Sequence, residues 1–493
     1  MINFFTIFWI VINSILLLFV FSEFLLAVAA IFARLKKKNS SASIDSICLP
    51  KVCIQLPIYN EKYVVSELLS QISKMNYPAD RLVIQILDDS TDDTPEVVAT
   101  HLNLLRKKSG LHFEHVRRKN RDGFKAGALA FGMTLTDAEY FAVFDADFLP
   151  DPNFLQRTLP HFSDEKVGVV QSRWHHINER YSLLTSAEAV MLDAHFGVEQ
   201  LGRSSTNNFI NFNGTAGIWR RACIEDAGGW EGDTLTEDLD LSFRAQMRKW
   251  KIEYLIDLKS PSELPTTFHA YRNQQYRWSK GAAECVRKNM KALWNSSVGI
   301  SEKVVGSLHL LNSSVYILML LIILSGPFIF YLDMNNEHWH NQFWWVTLYG
   351  VAINLMLVLV LLIGRMLCGK TKLIDWLLFV PAVVSFFCIS VGISLHMVFG
   401  VIQGYLGIKT EFVRTPKFGK NSLMKVKEKL NYGQKAAFDL RLLELVLLGY
   451  GIFWFYVGTV QLNLLTLFYS FTLIVGFSLS IFFSTRTFKI KRD

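Results

Sequence analysis

Cysteine is sparse in this chain. Only six cysteines occur among 493 residues, and no two of them stand in a Cys-x-x-Cys spacing. This absence argues against a zinc site and against a disulfide framework. It favours reduced, buried thiols in a reducing compartment.

Charged side chains are also few, at 19% of the residues, and they form no basic stripe with interleaved aromatic residues. The formal net charge of +8 therefore does not indicate a nucleic-acid partner, and we expect none. Many lysines and arginines instead flank apolar runs, as in the segment 34–38. That pattern is typical of a cytoplasmic membrane border.

Hydrophobic residues are in excess, at 51% of the chain, and they are concentrated near its two ends. No basic residue precedes the first run, which is also too long for a signal-peptide core. We expect an uncleaved anchor that runs from outside to inside. The runs long enough to cross a bilayer are Phe4–Ala33, Val305–Leu332, Phe343–Ile363, Leu442–Val460 and Leu464–Phe483.

Residues 376–406 do not fit this count of spans. The segment is apolar, contains Pro381 and has basic loops on both sides. A single crossing would leave one basic loop outside, so the sequence favours a re-entrant hairpin or an interfacial helix.

The middle of the chain alternates short apolar strands with amphipathic helices. Strands are predicted at residues 52–57, 81–87, 112–116 and 140–144. This alternation indicates a mostly parallel α/β sheet. We expect an N-terminal transmembrane anchor over residues 1–34, a cytosolic α/β domain over 48–300, and membrane helices over 301–490 with a cytosolic loop at 404–440.

Polar clusters follow three of these strands, and the carboxyl ends of parallel strands share one ligand-binding edge. The clusters are PIYNE from Pro57, DDSTDD from Asp88, and DADF from Asp145. Asp145 and Asp147 can face one hard cation together, so we predict Mg²⁺ or Mn²⁺ there. The alternative for this pair is a solvated strand end.

Further residues on this edge suit a nucleotide. Asp88 and Asp89 can accept hydrogen bonds from a nucleoside, although an Asx turn before the next helix would also explain them. Lys125 begins a helix among small residues, which suits a diphosphate. The alternative for Lys125 is an ordinary solvated lysine.

Two later motifs also carry reactive groups. Glu237 and Asp238 open a helix, where carboxylates are favoured by the helix dipole alone. The sharper hypothesis makes Asp238 a general base that activates an acceptor hydroxyl. Gln274, Arg277 and Trp278 form a Gln-x-x-Arg-Trp motif on one helix face, offering a flat ring and a cationic fork. An interfacial Trp/Arg pair is the alternative.

The order DDS, DAD, TED and QQYRW between apolar ends resembles the processive family-2 glycosyltransferases, such as cellulose and hyaluronan synthases. FNGTAGIWRR, GGW, SELP and LGIKTEFVRTPKFG are most similar to the mannan/glucomannan and xyloglucan-backbone synthase-like branch. The resemblance implies a Rossmann-like GT-A fold with inverting chemistry.

The resemblance also implies residue roles. Pro57, Asp88, Asp89, Lys125, Asp145 and Asp147 would bind the nucleotide-sugar, the last two with a divalent metal. Asp238 would be the base. Glu237, Gln274, Arg277 and Trp278 would contact the acceptor and diphosphate, and residues 213–217, including Gly214 and Thr215, would line the acceptor side. Phe412, Thr415 and Lys417 resemble a gating loop, although the order of residues there departs from that of cellulose synthases.

We therefore expect a hexosyltransferase that builds a β-linked polysaccharide from a donor of the UDP-glucose or GDP-mannose class. It would be a multi-pass protein of the plasma (inner) membrane, in contact with membrane lipids, with its catalytic domain in the cytosol. The alternative is transfer of one or a few sugars to a membrane lipid. A transporter that only senses nucleotide is disfavoured, because the apolar runs hold few ionisable groups.

Overall fold

The computed structural model describes residues 4–36, 49–106, 109–334, 340–410, 417 and 440–489. Its centre is a seven-stranded sheet in the order β3-β2-β1-β4-β6-β5-β7. The strands are β1 (Val52–Ile58), β2 (Leu82–Asp88), β3 (His112–Val116), β4 (Tyr140–Val143), β5 (Val167–His176), β6 (Gly217–Arg220) and β7 (Lys251–Ser262).

The sheet is mostly parallel, as predicted. β1 runs parallel to both β2 and β4, and β2 runs parallel to β3. β5 and β7 are also parallel, whereas β6 is antiparallel to both of its neighbours. The first four strands lie within two residues of their predicted ends. We did not predict β5, β6 and β7, and four-residue β6 is too short to show a periodic pattern.

The helices of the α/β part cover both faces of the sheet. Successive residues of β1 point to opposite faces, so Cys53 joins one apolar core and Ile54 the other. These helices are α2 (Val65–Ile72), α3 (Thr94–Leu105), α4 (Phe124–Thr134), α5 (Phe154–Thr158), α6 (Leu183–Ala194), α7 (Leu201–Ser205), α8 (Arg221–Asp226), α9 (Glu237–Met247) and α10 (Phe268–Asn295), and the apolar helix α1 (Phe4–Lys36) precedes them.

The remaining helices are long and apolar. They are α11 (Ile300–Leu311), α12 (Val315–Met334), α13 (His340–Leu367), α14 (Leu373–Leu406), α15 (Arg441–Val460) and α16 (Leu464–Lys489). Six stretches of the described chain are long and apolar enough to cross a bilayer, including one in α1 and one in α14. The predicted span from Val305 is interrupted by a short 3₁₀ turn at Asn312–Ser314.

The predicted re-entrant hairpin is wrong. Residues 373–406 form one uninterrupted helix of 34 residues that continues through Pro381. Both ends of α14 reach the α/β part of the chain. Arg180 donates to Asp375 at 2.8 Å near its start, and Lys280 donates to the carbonyl oxygen of Ile408 at 2.6 Å just beyond its end. This arrangement favours the interfacial alternative for α14.

Helix α14 forms a layer between the sheet-bearing part and the other apolar helices. Ile393 and Met397 pack against Tyr271 of α10, while Val391 and Leu395 belong to a core shared with α12 and α16. Apolar contact on both sides offsets the local cost of a proline inside the helix.

Candidate active site

A deep cleft opens at the carboxyl ends of β1, β2 and β4. It encloses about 1300 Å³, including solvent space at its mouth. Segments distant in sequence line it together, as expected for this edge of an α/β sheet. The predicted site residues in its lining are Pro57, Asp89, Lys125, Asp145, Asp147, Gly214, Glu237, Asp238, Gln274, Arg277, Trp278 and Lys417.

Asp145 and Asp147 leave β4 at the base of the cleft, and each carboxylate contacts a lysine. Lys125 donates to Asp145 Oδ1 at 2.5 Å, and Lys417 donates to Asp147 Oδ2 at 2.8 Å. The Asp145 amide donates to Thr215 Oγ1 at 2.8 Å, which fixes the turn. These carboxylate oxygens, on one wall, are the kind of ligand that a hard divalent cation takes.

Lys125 lies in the first turn of α4 and also donates to the carbonyl oxygen of Gly214 at 2.8 Å. Burial would lower the pKa of Lys125, but the carboxylates of Asp145 and Glu237 outweigh burial and raise the pKa above its ordinary value. Lys125 is therefore a fixed positive charge in the cleft. It suits an anionic ligand such as a diphosphate.

Asp238 occupies the first turn of α9 and faces the same space. Burial raises the pKa of Asp238 to about 7, Glu237 adds to this rise, and Lys125 opposes it. A carboxylate with a pKa near the working pH is suited to accept a proton from a hydroxyl group. Gly214 lies directly beside it, since a Cβ at Gly214 would come 2.9 Å from Asp238 Oδ2.

Gln274 and Trp278 lie one turn apart on α10, and both line the cleft beside Arg277. The Trp278 ring lies 6.5 Å, centroid to centroid, from that of Trp174 on β5. Two neighbouring aromatic rings beside a polar wall are a common way to hold a sugar.

The sequence profile of "Glycosyltransferase like family 2" matches residues 50–281. These residues are a family-2 glycosyltransferase domain. The matched range contains the whole sheet and all of the cleft lining except Lys417.

Relatives of this glycosyltransferase domain include two plant proteins. Glucomannan 4-beta-mannosyltransferase 1 of Oryza sativa subsp. japonica is 43% identical over 274 residues, covering 54% of this chain and 52% of the relative. Glucomannan 4-beta-mannosyltransferase 2 of Arabidopsis thaliana is 43% identical over 272 residues, covering 54% and 51%. The chain spans about half the length of these relatives.

A solved structure shares the fold. The mannosyltransferase PcManGT from Pyrobaculum calidifontis, in complex with GDP-Man and Mn²⁺, matches with a TM-score of 0.50 and 16% sequence identity. The match covers 81% of this chain and 100% of that one. The glycosyltransferase domain therefore has the GT-A fold that the resemblance implied.

The structure separates the two carboxylates predicted to bind a nucleoside. Asp88 is 1% exposed and is not among the residues that line the cleft. Its Oδ1 accepts from the Ser90 amide at 2.9 Å, and its Oδ2 contacts a ring nitrogen of His115 at 2.8 Å. Direct contact between Asp88 and a nucleoside does not fit this position, and the turn-forming alternative describes it better.

Asp89 does line the cleft, where Arg118 donates to both of its oxygens, through Nε to Oδ1 at 3.0 Å and through a second nitrogen to Oδ2. Nearby, the Arg121 guanidinium stacks on the Tyr59 ring, 3.3 Å from its centroid. Arg118 and Arg121 were not predicted as site residues. Both follow β3, and no recognisable motif marks the carboxyl end of that strand.

The other predicted residues have three different outcomes. Thr215 is fully buried and shapes the turn at Asp145 without lining the cleft. Phe412 and Thr415 lie outside the described residues. Lys417 reaches the cleft and also donates to the carbonyl oxygen of Glu263 at 2.7 Å.

A second acidic cluster was not predicted as a site. Carboxylate oxygens of Glu231, Asp233 and Asp240 lie within 4.8 Å of one another, away from the cleft lining. Lys288 pairs with all three, and Arg244 pairs with Asp240. These ion pairs account for the cluster as part of the packing between α9 and α10.

Proposed function

We propose that this chain is an inverting hexosyltransferase that extends a β-linked glycan at a membrane from a nucleotide-sugar donor. The observation that carries the proposal is Asp238, a carboxyl group with a pKa near neutrality that shares one cleft with the carboxylates of Asp145 and Asp147. The relatives' names, which specify β-mannosyl transfer into glucomannan, support the same class of product.

The cleft residues suggest how the transfer proceeds. Asp238 accepts the proton of the acceptor hydroxyl, which then attacks the sugar carbon from the side opposite the leaving diphosphate. Lys125 and Arg277 place positive charge where the diphosphate departs. Trp278 gives the acceptor ring a flat surface to rest on. Attack from the opposite side inverts the configuration at the sugar carbon.

A divalent cation, Mg²⁺ or Mn²⁺, fits the oxygen donors of Asp145 and Asp147. When bound there, the cation would neutralise charge on the diphosphate. Lys125 and Lys417, which pair with these carboxylates, would place two positive charges beside the phosphate oxygens of the donor. We place the donor in the UDP-glucose or GDP-mannose class, in line with the GDP-Man and Mn²⁺ bound by PcManGT.

We further propose that the chain is a multi-pass membrane protein. On this view the apolar helices lie in the plasma (inner) membrane, among membrane lipids, with the catalytic cleft on the cytosolic side. The basic segment 34–38 after the first apolar run supports this orientation.

The test uses the full chain, purified in detergent or nanodiscs. Nucleotide release is measured with UDP- and GDP-linked hexoses, each with Mg²⁺ and Mn²⁺, and the product is digested with linkage-specific hydrolases. We expect metal-dependent release and a β-linked oligomer longer than a few sugars. Absence of release with every donor would overturn the assignment, and products of one or two sugars on lipid would instead support a glycolipid synthase.

A further inference from the structure

A buried carboxyl group in the cleft has no role in the reaction as described above. Glu188 on α6 is 1% exposed, and neither of its oxygens has a hydrogen-bond partner among the described residues. It nevertheless lines the cleft. Buried polar groups are nearly always hydrogen-bonded, so an unpaired one that faces a cleft points to a ligand that supplies the partner.

Two other side chains beside Glu188 in the cleft lining, Trp174 and His176, also have polar atoms without a hydrogen-bond partner among the described residues. His176 on β5 is 5% exposed, and neither ring nitrogen has a partner in the described part of the chain. Trp174 lies two residues earlier on the same strand face, and its Nε1–H is also unpaired there. All three residues line the cleft. Three unpaired polar groups on one wall of the cleft, from β5 and α6, are difficult to explain as an accidental packing defect.

This wall carries no charge of its own near neutral pH. Burial raises the pKa of Glu188 to about 8, against the opposing effect of Lys417. Burial lowers the pKa of His176 to about 3, and the neighbouring His175 adds to this effect. A protonated carboxyl group, a neutral imidazole and an indole N–H together donate and accept hydrogen bonds. They suit neutral hydroxyl groups better than phosphates or carboxylates.

The wall is distant from the nucleoside end of the cleft. In the sheet order, β5 lies three strands from β1, a separation of roughly 14 Å. The back of α6 packs on apolar helices, where Val190 shares a core with Val360 of α13 and Phe379 of α14. Trp174 lies next to Trp278, the ring expected to hold the terminal acceptor sugar. A ligand on this wall would therefore extend from the acceptor side of the cleft.

We propose that Trp174, His176 and Glu188 form a second sugar subsite, which holds the acceptor unit behind the terminal one and selects a neutral glycan. This inference rests on the proposed function and deepens it by naming the acceptor class. Glu188 exchanges hydrogen bonds with hydroxyl groups of that unit, His176 completes the set, and the Trp174 ring covers an apolar face of the sugar.

Binding of short glycans tests the subsite without requiring turnover. The full chain in detergent is titrated calorimetrically with mannotetraose and cellotetraose, and separately with GDP and UDP. We expect Glu188→Leu to weaken binding of the preferred tetrasaccharide roughly tenfold, while nucleotide affinity stays unchanged. Glu188→Gln, which keeps both a donor and an acceptor, should bind within about threefold of the wild type.

Val190→Ala is the matched control, because Val190 is buried on α6 but packs on α13 and α14. It should lower thermal stability without changing glycan affinity. Equal tetrasaccharide affinity in wild type and Glu188→Leu overturns the subsite, as does tighter binding of an oligouronate than of either neutral glycan. Failure of the wild type to bind either tetrasaccharide also overturns it. Glycan binding without any nucleotide binding would leave the subsite standing and remove the proposed function.

Discussion

Gly214, a glycine with left-handed backbone geometry, lies directly beside Asp238, the predicted general base. Gly214 has φ of 77°, and its carbonyl oxygen accepts a hydrogen bond from Lys125. Its missing side chain leaves space beside Asp238 that any other residue would fill. The site therefore depends on the absence of a side chain at position 214 as well as on the charged groups around it.

Gly214→Ala should damage activity more than it damages folding. Its Cβ would come 2.9 Å from Asp238 Oδ2, so the carboxylate must move. Displacing a reacting group in this way costs roughly tenfold or more in kcat/KM. Gly229→Ala is the control, since Gly229 has φ of 81° and no heavy atom within 4 Å of the new Cβ. Both variants should lose about 1–2 kcal/mol of stability, and equal activity in the two would contradict the placement of Asp238.

The pH dependence of transfer should report the ionisation of Asp238. Burial raises its pKa to about 7, and only the deprotonated form can accept a proton. The rate should therefore fall about tenfold per pH unit below this value and level off above it. We expect Asp238→Asn to keep donor binding, to lose a factor of about 10²–10⁴ in rate, and to abolish the acid limb. Turnover that is flat across this range in the wild type would exclude Asp238 as the base.

At the scale of elements, the crossing of α14 and α16 depends on two glycines. A Cβ at Gly392 would come 2.3 Å from the carbonyl oxygen of Gly476, and one at Gly476 would come 2.6 Å from that of Cys388. The two backbones are therefore in direct contact. Small residues at such crossings let the backbones of two apolar helices approach closely.

Gly392→Ala should separate these helices. Because the clash is with backbone, the cost of overpacking should be about 1–3 kcal/mol, seen as a lower apparent melting temperature in detergent. Gly449→Ala on α15 is the matched control, since a Cβ there meets no heavy atom within 4 Å. That change should leave the melting temperature unchanged or raise it, because alanine favours a helix over glycine. A similar loss in both variants would show that the contact is unimportant.

At the scale of the whole molecule, α14 decides how many times the chain crosses the membrane. Its 34 residues give a length of about 51 Å, more than the roughly 30 Å hydrocarbon core. Yet contacts at both of its ends reach the same sheet-bearing part. A helix tied at both ends to one part of the protein should lie along the membrane surface rather than cross it.

Cysteine labelling can test this orientation. Lys372 and Lys409 flank α14 and are exposed, as is Lys166 in the sheet-bearing part. In oriented vesicles, a membrane-impermeant maleimide should label Lys372→Cys, Lys409→Cys and Lys166→Cys from the same side. The wild type supplies the background, since the five described cysteines are buried. Labelling of the first two from opposite sides would instead make α14 a crossing helix.

Much of the fold and part of the site could be read from local sequence. Apolar runs, strand–helix alternation and short acidic motifs are local patterns, and the first four strands and the edge that holds Asp145 follow from them. The antiparallel β6 could not be predicted, because its four residues form a strand only through their pairing with β4 and β5. The ion-pair partners of the acidic groups could not be predicted either, and Lys417 beside Asp147 is an example.

Local sequence patterns were enough to predict the α/β architecture, most of the apolar helices and the family of the central domain. Each depends on periodicity or on residues close together in the chain. The folded chain was needed to show that Asp88 supports a turn, that α14 is one helix despite Pro381, and that Glu188 and His176 face the cleft without a hydrogen-bond partner among the described residues. These outcomes depend on packing between segments far apart in sequence, where burial and missing partners change what a side chain can do.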